Sequence, residues 1–340
     1  MVCRFGVDGE VNLFVITLFF FPFIYTYASK SDRSVDFIYS CYYYFWLLPL
    51  RLPTPRSGFS QGSSDGFHQS GKKMKQCVVD PKHQASAKRF TIKATDIYIC
   101  PDCNCIMADI DFYHDQYESD RYYTMHQETL RGIEYEWGFR WRYILNKIVK
   151  LSGCGSLLDV GAGNGYFGAL ASREYGMNVN GLEISREQIQ FAQDVIGVHL
   201  INEDVADHST EYDVVTCFNV LEHVNDPHLF MSALVKRVRP GGILVITTPN
   251  PRCIHARVKG LKNWNMIDPP HHINLFTQES LDYLIRAEEL TSICYETLST
   301  YINFVRKVDG SDLFLRKLFF NLLRIFSLGA DHLFILRKPF

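Results

Sequence analysis

The chain has 340 residues, enough for one large α/β domain with additional segments, because single hydrophobic cores rarely grow beyond about 300 residues. Its 35 basic and 37 acidic residues leave a net charge of -2, so the sequence offers no broad basic surface and we predict no nucleic-acid partner. Its ten cysteines are spread along the chain rather than set in the dense pattern of a secreted disulfide scaffold, and we predict a cytoplasmic protein.

The first 73 residues differ in composition from the rest of the chain. Residues 11–28 are nearly all apolar and about long enough to cross a bilayer, but they contain Pro22 and follow Asp8 and Glu10, where a signal peptide would carry positive charge. Residues 53–73 are rich in Ser, Gly and Pro, a composition typical of a disordered linker. We therefore predict that residues 1–73 are a poorly structured or membrane-associated extension.

Residues 74–125 are predicted to form an accessory region. Cys100 and Cys103 have the two-residue spacing that lets both sulfurs reach one zinc ion, and Cys77 and His83 are available as further ligands. This segment resembles small zinc-ribbon knuckles but lacks their second closely spaced cysteine pair, so zinc binding and a knuckle that has lost its metal both remain open. Three tyrosines in the acidic stretch that follows are predicted either to form a lid over a ligand pocket or to pack in the interior: Tyr117, Tyr122 and Tyr123.

From residue 156 onward, short apolar runs alternate with amphipathic stretches, a pattern typical of βα units that build a parallel sheet. Ser185, followed three residues later by Gln188, predicts the start of the helix after the second strand. For residues 126–340 we predict an α/β domain with a mostly parallel sheet of seven strands and helices on both faces. The predicted strands are 157–160, 179–182, 198–201, 214–217, 243–247, 292–298 and 332–337.

The first predicted strand runs into a glycine-rich turn at residues 161–165. Glycine permits the positive φ of a tight turn and lets the backbone approach a ligand closely. Glu183 stands at the end of the second strand, where a carboxylate can accept hydrogen bonds from both hydroxyls of a ribose. Asp204 follows the third strand, with apolar Val205 beside it as an adenine pocket requires. These strand ends predict a nucleoside-type ligand above the sheet, although an ordinary tight turn would also explain the glycines.

The spacing G-x-G-x-G separates two ligand classes, because a dinucleotide fingerprint G-x-G-x-x-G would place its third glycine where Tyr166 stands. With Asp159 two residues before the first glycine, the segment resembles motif I of class I S-adenosylmethionine (SAM) dependent methyltransferases. Residues 212–224 and 239–242 resemble two further motifs of that family, and the Leu-Glu-His-Val pattern at 221–224 resembles its small-molecule enzymes of ubiquinone and menaquinone biosynthesis.

The resemblance implies a Rossmann-like fold with SAM as cofactor. The residues that we predict to bind the cofactor are Asp159, Gly161, Gly163, Gly165, Glu183, Asp204, Val205 and Asn219. Some relatives bind a divalent metal through a glutamate at the position of Asn219. Because a hard cation is held by oxygen ligands and charge, the loss of that carboxylate leads us to predict no metal in the catalytic site.

Three histidines are candidates for catalysis. Methyl transfer mainly requires that acceptor and methyl group be held at reacting distance, but an oxygen acceptor must also lose a proton, for which histidine is the usual side chain near neutral pH. His223 follows the fourth strand, and His271 and His272 lie in a predicted acceptor loop after the fifth strand. The alternative role of each is a structural hydrogen bond to a loop backbone.

The predicted function is transfer of a methyl group from SAM to a small-molecule or lipid-like acceptor, with oxygen favoured as the methylated atom. One alternative is a catalytically inactive SAM-binding partner subunit. The other is a nicotinamide-dependent oxidoreductase, which Tyr166 and the position of Asp159 disfavour. The identity of the acceptor stays open because substrate pockets in this fold are built from variable loops. The oligomeric state stays open as well.

Residues 313–326 predict a helix with a narrow polar stripe beside a broad apolar face. This pattern is typical of a helix that lies on a membrane surface and would indicate peripheral membrane contact and a lipophilic acceptor. A helix that covers the sheet or pairs two subunits fits the pattern as well. The predicted stripe consists of Arg316, Lys317, Asn321 and Arg324.

Overall fold

The computed structural model describes residues 74–110, 129–299 and 312–340, with only the backbone for 312–316. The predicted extension 1–73 and the tyrosines at 117, 122 and 123 lie outside these residues. In chain order the strands and helices are β1 (Met74–Lys75), β2 (Ser86–Ile92), β3 (Thr95–Ile99), β4 (Ile106–Ala108), α1 (Leu130–Ile133), α2 (Phe139–Ser152), β5 (Ser156–Val160), α3 (Tyr166–Tyr175), β6 (Asn178–Leu182), α4 (Arg186–Phe191), β7 (Tyr212–Phe218), α5 (Pro227–Arg237), β8 (Val238–Pro249), α6 (Ile254–Lys259), β9 (Asn274–Leu275), α7 (Gln278–Ala287), β10 (Thr291–Leu298), α8 (Asp312–Ile325) and β11 (Asp331–Arg337).

The larger sheet has the strand order β10-β11-β8-β7-β5-β6. The pairs from β6 to β8 are parallel, whereas β11 runs antiparallel to both β8 and β10. Alternate residues of the central strands pack into different cores: Leu158 and Val215 lie with α5 and α7, and Leu157 and Val214 with α2 and α3. Because helices cover both faces, the central strands bury apolar residues on both sides of the sheet.

The prediction of seven strands is wrong, because the third predicted strand does not form. The segment predicted at 198–201 makes a single parallel bridge, between Leu182 and Ile201, so the sheet has six strands among the described residues. The Asn202 side chain explains why the pairing stops. Its Nδ2 donates to the carbonyl oxygens of Glu183 and Ile184, at 3.0 and 3.1 Å, and thereby occupies the backbone acceptors beside the bridge.

The smaller sheet is antiparallel and has the order β1-β2-β3-β4-β9. A two-residue turn joins β2 to β3, with positive φ at Lys93 and Ala94, which matches the twist of a hairpin. Its last strand, β9, comes from the loop that follows α6, so the accessory region shares a sheet with the rest of the chain. The described residues accordingly belong to one compact unit.

Helix starts agree with the capping signals in the sequence. Ser185 Oγ accepts a hydrogen bond from the Gln188 amide at the start of α4, and Thr277 Oγ1 accepts one from the Ser280 amide at the start of α7. Within the described residues, no helix combines the length and the apolar character needed to cross a membrane.

Candidate functional site

The glycine-rich turn lies between β5 and α3, at the carboxyl end of the sheet. The amides of Gly161 and Ala162 both donate to the carbonyl oxygen of Leu182, at 2.9 Å each, which ties the turn to β6. Gly163 has a φ of +55°, and a Cβ built there meets no atom of the described residues within 4 Å. The backbone at Gly163 therefore borders open space, as a turn that receives a ligand requires.

Glu183 is held in place by the backbone on three sides. Its Oε2 accepts from the Gly163 amide at 2.7 Å, and its Oε1 accepts from the amides of Ile184 and Ser185 at 2.9 Å each. These bonds fix the carboxylate at the end of β6, 6% exposed. Oε1 already accepts two hydrogen bonds, but Oε2 accepts one and keeps a second lone pair, so the group can also accept from a ribose hydroxyl.

Asp159 is buried beneath the turn and accepts a hydrogen bond from Thr216 Oγ1 at 2.7 Å. Burial raises the pKa of its carboxyl to about 7. An ammonium group placed beside Asp159 would lower this pKa again, so the site is suited to the amino group of an amino-acid-like ligand.

A cavity of about 570 Å³ opens above these residues. Seven of the eight residues predicted to bind the cofactor line it, all except Gly165. A Cβ at Gly165 would lie 2.6 Å from Val198 Cγ2, so this glycine permits close packing and a φ of +72° at the start of α3. His223 also lines the cavity.

One wall of the cavity is aromatic, and none of its residues was among the predicted site residues. Trp137 and Trp141 stack with ring centroids 5.6 Å apart, and Trp141 contacts Phe167 and Phe218, which also line the cavity. The tryptophans belong to the helical segment before β5, which carries no motif. Only their one-turn spacing hints that they share a face.

Gln188 was also missed as a candidate site residue. We predicted it as a capping residue, but Glu183 already accepts from the Ser185 amide that a capping box would use. The Gln188 side chain lines the cavity instead, and its buried Nε2 has no hydrogen-bond partner among the described residues. A buried amide without a partner is costly, which marks it as a donor available to a ligand.

His223 is 7% exposed and lies in a short 3₁₀ turn after β7. Its Nδ1 lies 2.8 Å from the carbonyl oxygen of His271. Because a carbonyl only accepts, Nδ1 carries the proton, and the lone pair of the neutral ring is on Nε2. Burial and the neighbouring His272 lower the pKa of His223 to about 3, so the ring is neutral at physiological pH.

His271 and His272 do not line this cavity in the described part of the chain. His272 lines a second cavity of about 510 Å³, together with Lys93 and residues 262–268. Its Nδ1 lies 2.7 Å from the Met266 carbonyl oxygen, and burial lowers its pKa. His272 thus makes a hydrogen bond to the loop backbone, which was the alternative role considered for it. The backbone carbonyl of His271 orients His223.

The comparison with known families decides what this arrangement belongs to. Residues 137–294 match the family model of the methyltransferase domain, and this range contains the turn, Glu183 and His223. This segment is a methyltransferase domain. The family predicted from the sequence is confirmed, and the predicted cofactor, SAM, agrees with it.

Curated relatives of the methyltransferase domain include two proteins named ubiquinone biosynthesis O-methyltransferase. Those of Erwinia tasmaniensis and Pectobacterium carotovorum are 37% and 38% identical to this chain over 103 residues, which is 28% of this chain and 42% and 43% of theirs. The chain therefore matches less than half the length of these relatives. A solved SAM-dependent methyltransferase from Archaeoglobus fulgidus is 22% identical, with a TM-score of 0.47, and the match covers 64% of this chain and 100% of that one.

Among the described residues, two groups of side chains could act as metal ligands. Glu222, His223 and His272 are buried with their ligand atoms within 4.8 Å of one another. At the position of the extra glutamate in metal-binding relatives, Asn219 Oδ1 accepts from Thr247 Oγ1 at 2.7 Å. The second group consists of the predicted ligands Cys77, Cys100 and Cys103 together with His83, which the structure brings together.

Proposed function

We propose that the methyltransferase domain transfers the methyl group of SAM to a hydroxyl oxygen of a small, lipophilic acceptor. The observation that carries the proposal is the shared cavity, in which the glycine turn and Glu183 face the same space as the neutral imidazole of His223. Cofactor and acceptor can thus meet beside a proton acceptor.

The residues that line the cavity fit SAM. Glu183 Oε2 can accept from a ribose hydroxyl, the open backbone at Gly163 leaves room for the ligand, and Asp159 suits the amino group of the methionine part. Gln188 adds a donor without a partner among the described residues. When bound, SAM supplies a methyl group made electrophilic by its sulfonium.

His223 is suited to remove the proton of the acceptor hydroxyl. The His271 carbonyl holds the ring by Nδ1, so Nε2 is the atom that takes a proton. A pKa near 3 makes this imidazole a weak base, but the hydroxyl proton becomes strongly acidic as the oxygen forms its bond to carbon. A neutral, oriented ring is therefore sufficient at that stage of the reaction.

The aromatic wall favours a lipophilic acceptor. Trp137, Trp141 and Phe230 offer ring surfaces to the same cavity as His223, and rings of this kind pack well against aromatic or prenyl groups. The relatives named for O-methylation in ubiquinone biosynthesis point in the same direction. An aromatic ring with a free hydroxyl and an apolar tail combines these requirements.

The test follows transfer of labelled methyl from SAM to a prenylated catechol, with the full chain and with His223→Gln. We expect the variant to lose about 100-fold or more in kcat while its SAM affinity stays within about twofold, because a general base contributes about 10²- to 10⁴-fold. His271→Ala is the matched control, since it keeps the carbonyl that orients His223. Unchanged kcat in a folded His223→Gln protein would contradict the role of His223.

A further inference from the structure

Three buried thiols and one imidazole meet at the end of the smaller sheet. Cys77, Cys100 and Cys103 are at most 4% exposed and His83 is 9% exposed, and one ligand atom from each lies within 4.8 Å of the others. They come from two segments, the loop after β1 and the turn between β3 and β4. This cluster is outside the cavity of the methyltransferase domain.

The distances within the cluster match a tetrahedral ion site. The sulfurs of Cys77 and Cys103 are 3.6 Å apart, and His83 Nδ1 lies 3.4 and 3.6 Å from the sulfurs of Cys77 and Cys100. A tetrahedral zinc ion with its usual bond lengths separates two sulfurs by about 3.8 Å, and a sulfur and a nitrogen by about 3.5 Å. A disulfide would bring two sulfurs to about 2.05 Å.

The backbone of both segments is folded to present these side chains. The Asn104 amide donates to the Cys100 carbonyl at 3.0 Å, and Asn104 has a φ of +58°, so the chain reverses and returns Cys103 beside Cys100. In the other segment, the His83 amide donates to the Asp80 carbonyl at 3.1 Å, which brings the ring back toward Cys77. The Val79 amide lies 3.4 Å from Cys77 Sγ, a contact that stabilises a thiolate.

We propose that Cys77, His83, Cys100 and Cys103 together bind one structural zinc ion. Cys77 and His83, six residues apart, take the place of the second cysteine pair that the sequence lacks. Four protein ligands close the coordination shell, which is the arrangement of structural rather than catalytic zinc. The His83 ring is supported from outside by Tyr283, whose ring lies edge to face at 4.7 Å.

All four ligands belong to the accessory region, and the turn that carries Cys103 contacts the segment that follows His271 and His272. The Cys103 carbonyl accepts from Thr277 Oγ1 at 2.7 Å, and β4 pairs with β9, which follows His272 closely in the chain. Zinc binding therefore stabilises the part of the accessory region that contacts this segment. Loss of the ion is expected to lower the melting temperature of the whole described unit.

The experiment measures zinc in the full chain, purified in reducing buffer without chelators, by plasma mass spectrometry. We expect one zinc per chain in the wild-type protein and in Cys105→Ala, which removes a buried neighbouring thiol that is not among the four ligands. Cys100→Ser and Cys103→Ser should lose the metal. Exchange of the ion for cobalt(II) should give thiolate-to-cobalt charge-transfer bands, a readout that needs no variant.

Three results would overturn the zinc proposal. The first is wild-type protein that contains no zinc, takes up none when zinc is added to the reduced chain, and shows no charge-transfer bands when cobalt(II) is added. The second is full zinc content in folded Cys100→Ser and Cys103→Ser proteins. The third is loss of zinc in Glu222→Gln, which would place the ion in the other cluster. SAM binding measured on the same samples keeps this outcome separate from the proposed function.

Discussion

The amide of Gly163 reaches Glu183 without a side chain between them, and this gives a sharp test of the cofactor site. We expect Gly163→Ala to fold but to weaken SAM binding at least tenfold, because the methyl group would occupy the space that the ligand needs. Gly176→Ala is the matched control. Gly176 has a similar positive φ, +66°, with no described atom within 4 Å of an added Cβ, and it ends α3 away from the cavity.

Both glycine variants carry a similar backbone strain, on the order of 1 kcal/mol. Calorimetric titration with SAM and a melting curve for each protein separate strain from binding. Equal SAM affinity in the two variants would remove Gly163 from the cofactor site.

Glu222 gives a prediction about pH. Burial raises the pKa of its carboxyl from 4.5 to about 8, so between these values the unfolded chain ionises more readily than the folded one. The free energy of unfolding therefore falls as pH rises from about 5 to 8. Glu222→Gln cannot ionise and should lessen this fall, by an amount on the order of 3 kcal/mol.

The measurement is chemical unfolding of both proteins at pH 5 and pH 8. Asp159, whose pKa is also raised by burial, to about 7, preserves part of the fall in the variant. If the variant and the wild type lose stability equally over this range, Glu222 is ionised in the folded protein.

Among individual residues, the sequence predicted those that belong to a motif at the end of a strand. The glycines, Glu183 and Asp159 follow from strand ends and spacing, because parallel strands bring their carboxyl ends to one edge. The positions of Gln188 and the tryptophans at the cavity could not be predicted, since the packing of a helix against the sheet decides which of its residues face the cavity. All four residues of the cluster at Cys77 were named as candidate zinc ligands, but zinc binding stayed open because the sequence lacks a second closely spaced cysteine pair.

The predicted apolar face of helix α8 is buried in one part and exposed in another. Phe320 is 3% exposed and packs against Phe139 and Tyr143, so it belongs to the core. Ile325 and Phe326 are 68% and 64% exposed. Arg324, predicted in the basic stripe, pairs with Glu296 at 3.3 Å and with Tyr143. Sequence periodicity predicted the helix but not which of its sides is buried, because contacts with α2, which is distant in the sequence, decide that Phe320 is buried.

The prediction of peripheral membrane contact is tested by substituting exposed and buried residues at α8 separately. We expect serine at both Ile325 and Phe326 to reduce flotation with anionic vesicles while the melting temperature stays unchanged, because both side chains are exposed. Phe320→Ser should instead destabilise the protein by about 3 kcal/mol or more. Absence of vesicle binding by the wild type at low salt would remove membrane contact from the account.

For the whole molecule, the sequence predicted the order of elements well and the sharing of a sheet poorly. The βα alternation fixes the parallel strands, since each connection is short. The pairing of β4 with β9 joins residues 106–108 to 274–275, and a two-residue strand carries too little pattern to be recognised in a sequence. The sequence therefore did not predict that the accessory region shares a sheet with residues 274–275.

A protein that begins at Met74 should bind SAM with the affinity of the full chain. The reason is that the described residues, all after residue 73, belong to one compact unit that contains the cavity. Calorimetry with both proteins checks this, with melting curves as the control for folding. A truncated protein that folds but binds SAM tenfold more weakly would show that residues 1–73 contribute to the site.

The cavity above β5, β6 and β7 is predicted to bind SAM, and calorimetric titration of the purified full chain with SAM measures this binding. We predict one site per chain, at least tenfold weaker binding in Glu183→Ala through loss of a charge-assisted hydrogen bond worth about 1.5–3 kcal/mol, and no detectable binding of NAD. Binding of NAD in preference to SAM, or SAM affinity unaffected by Glu183→Ala, would contradict the account.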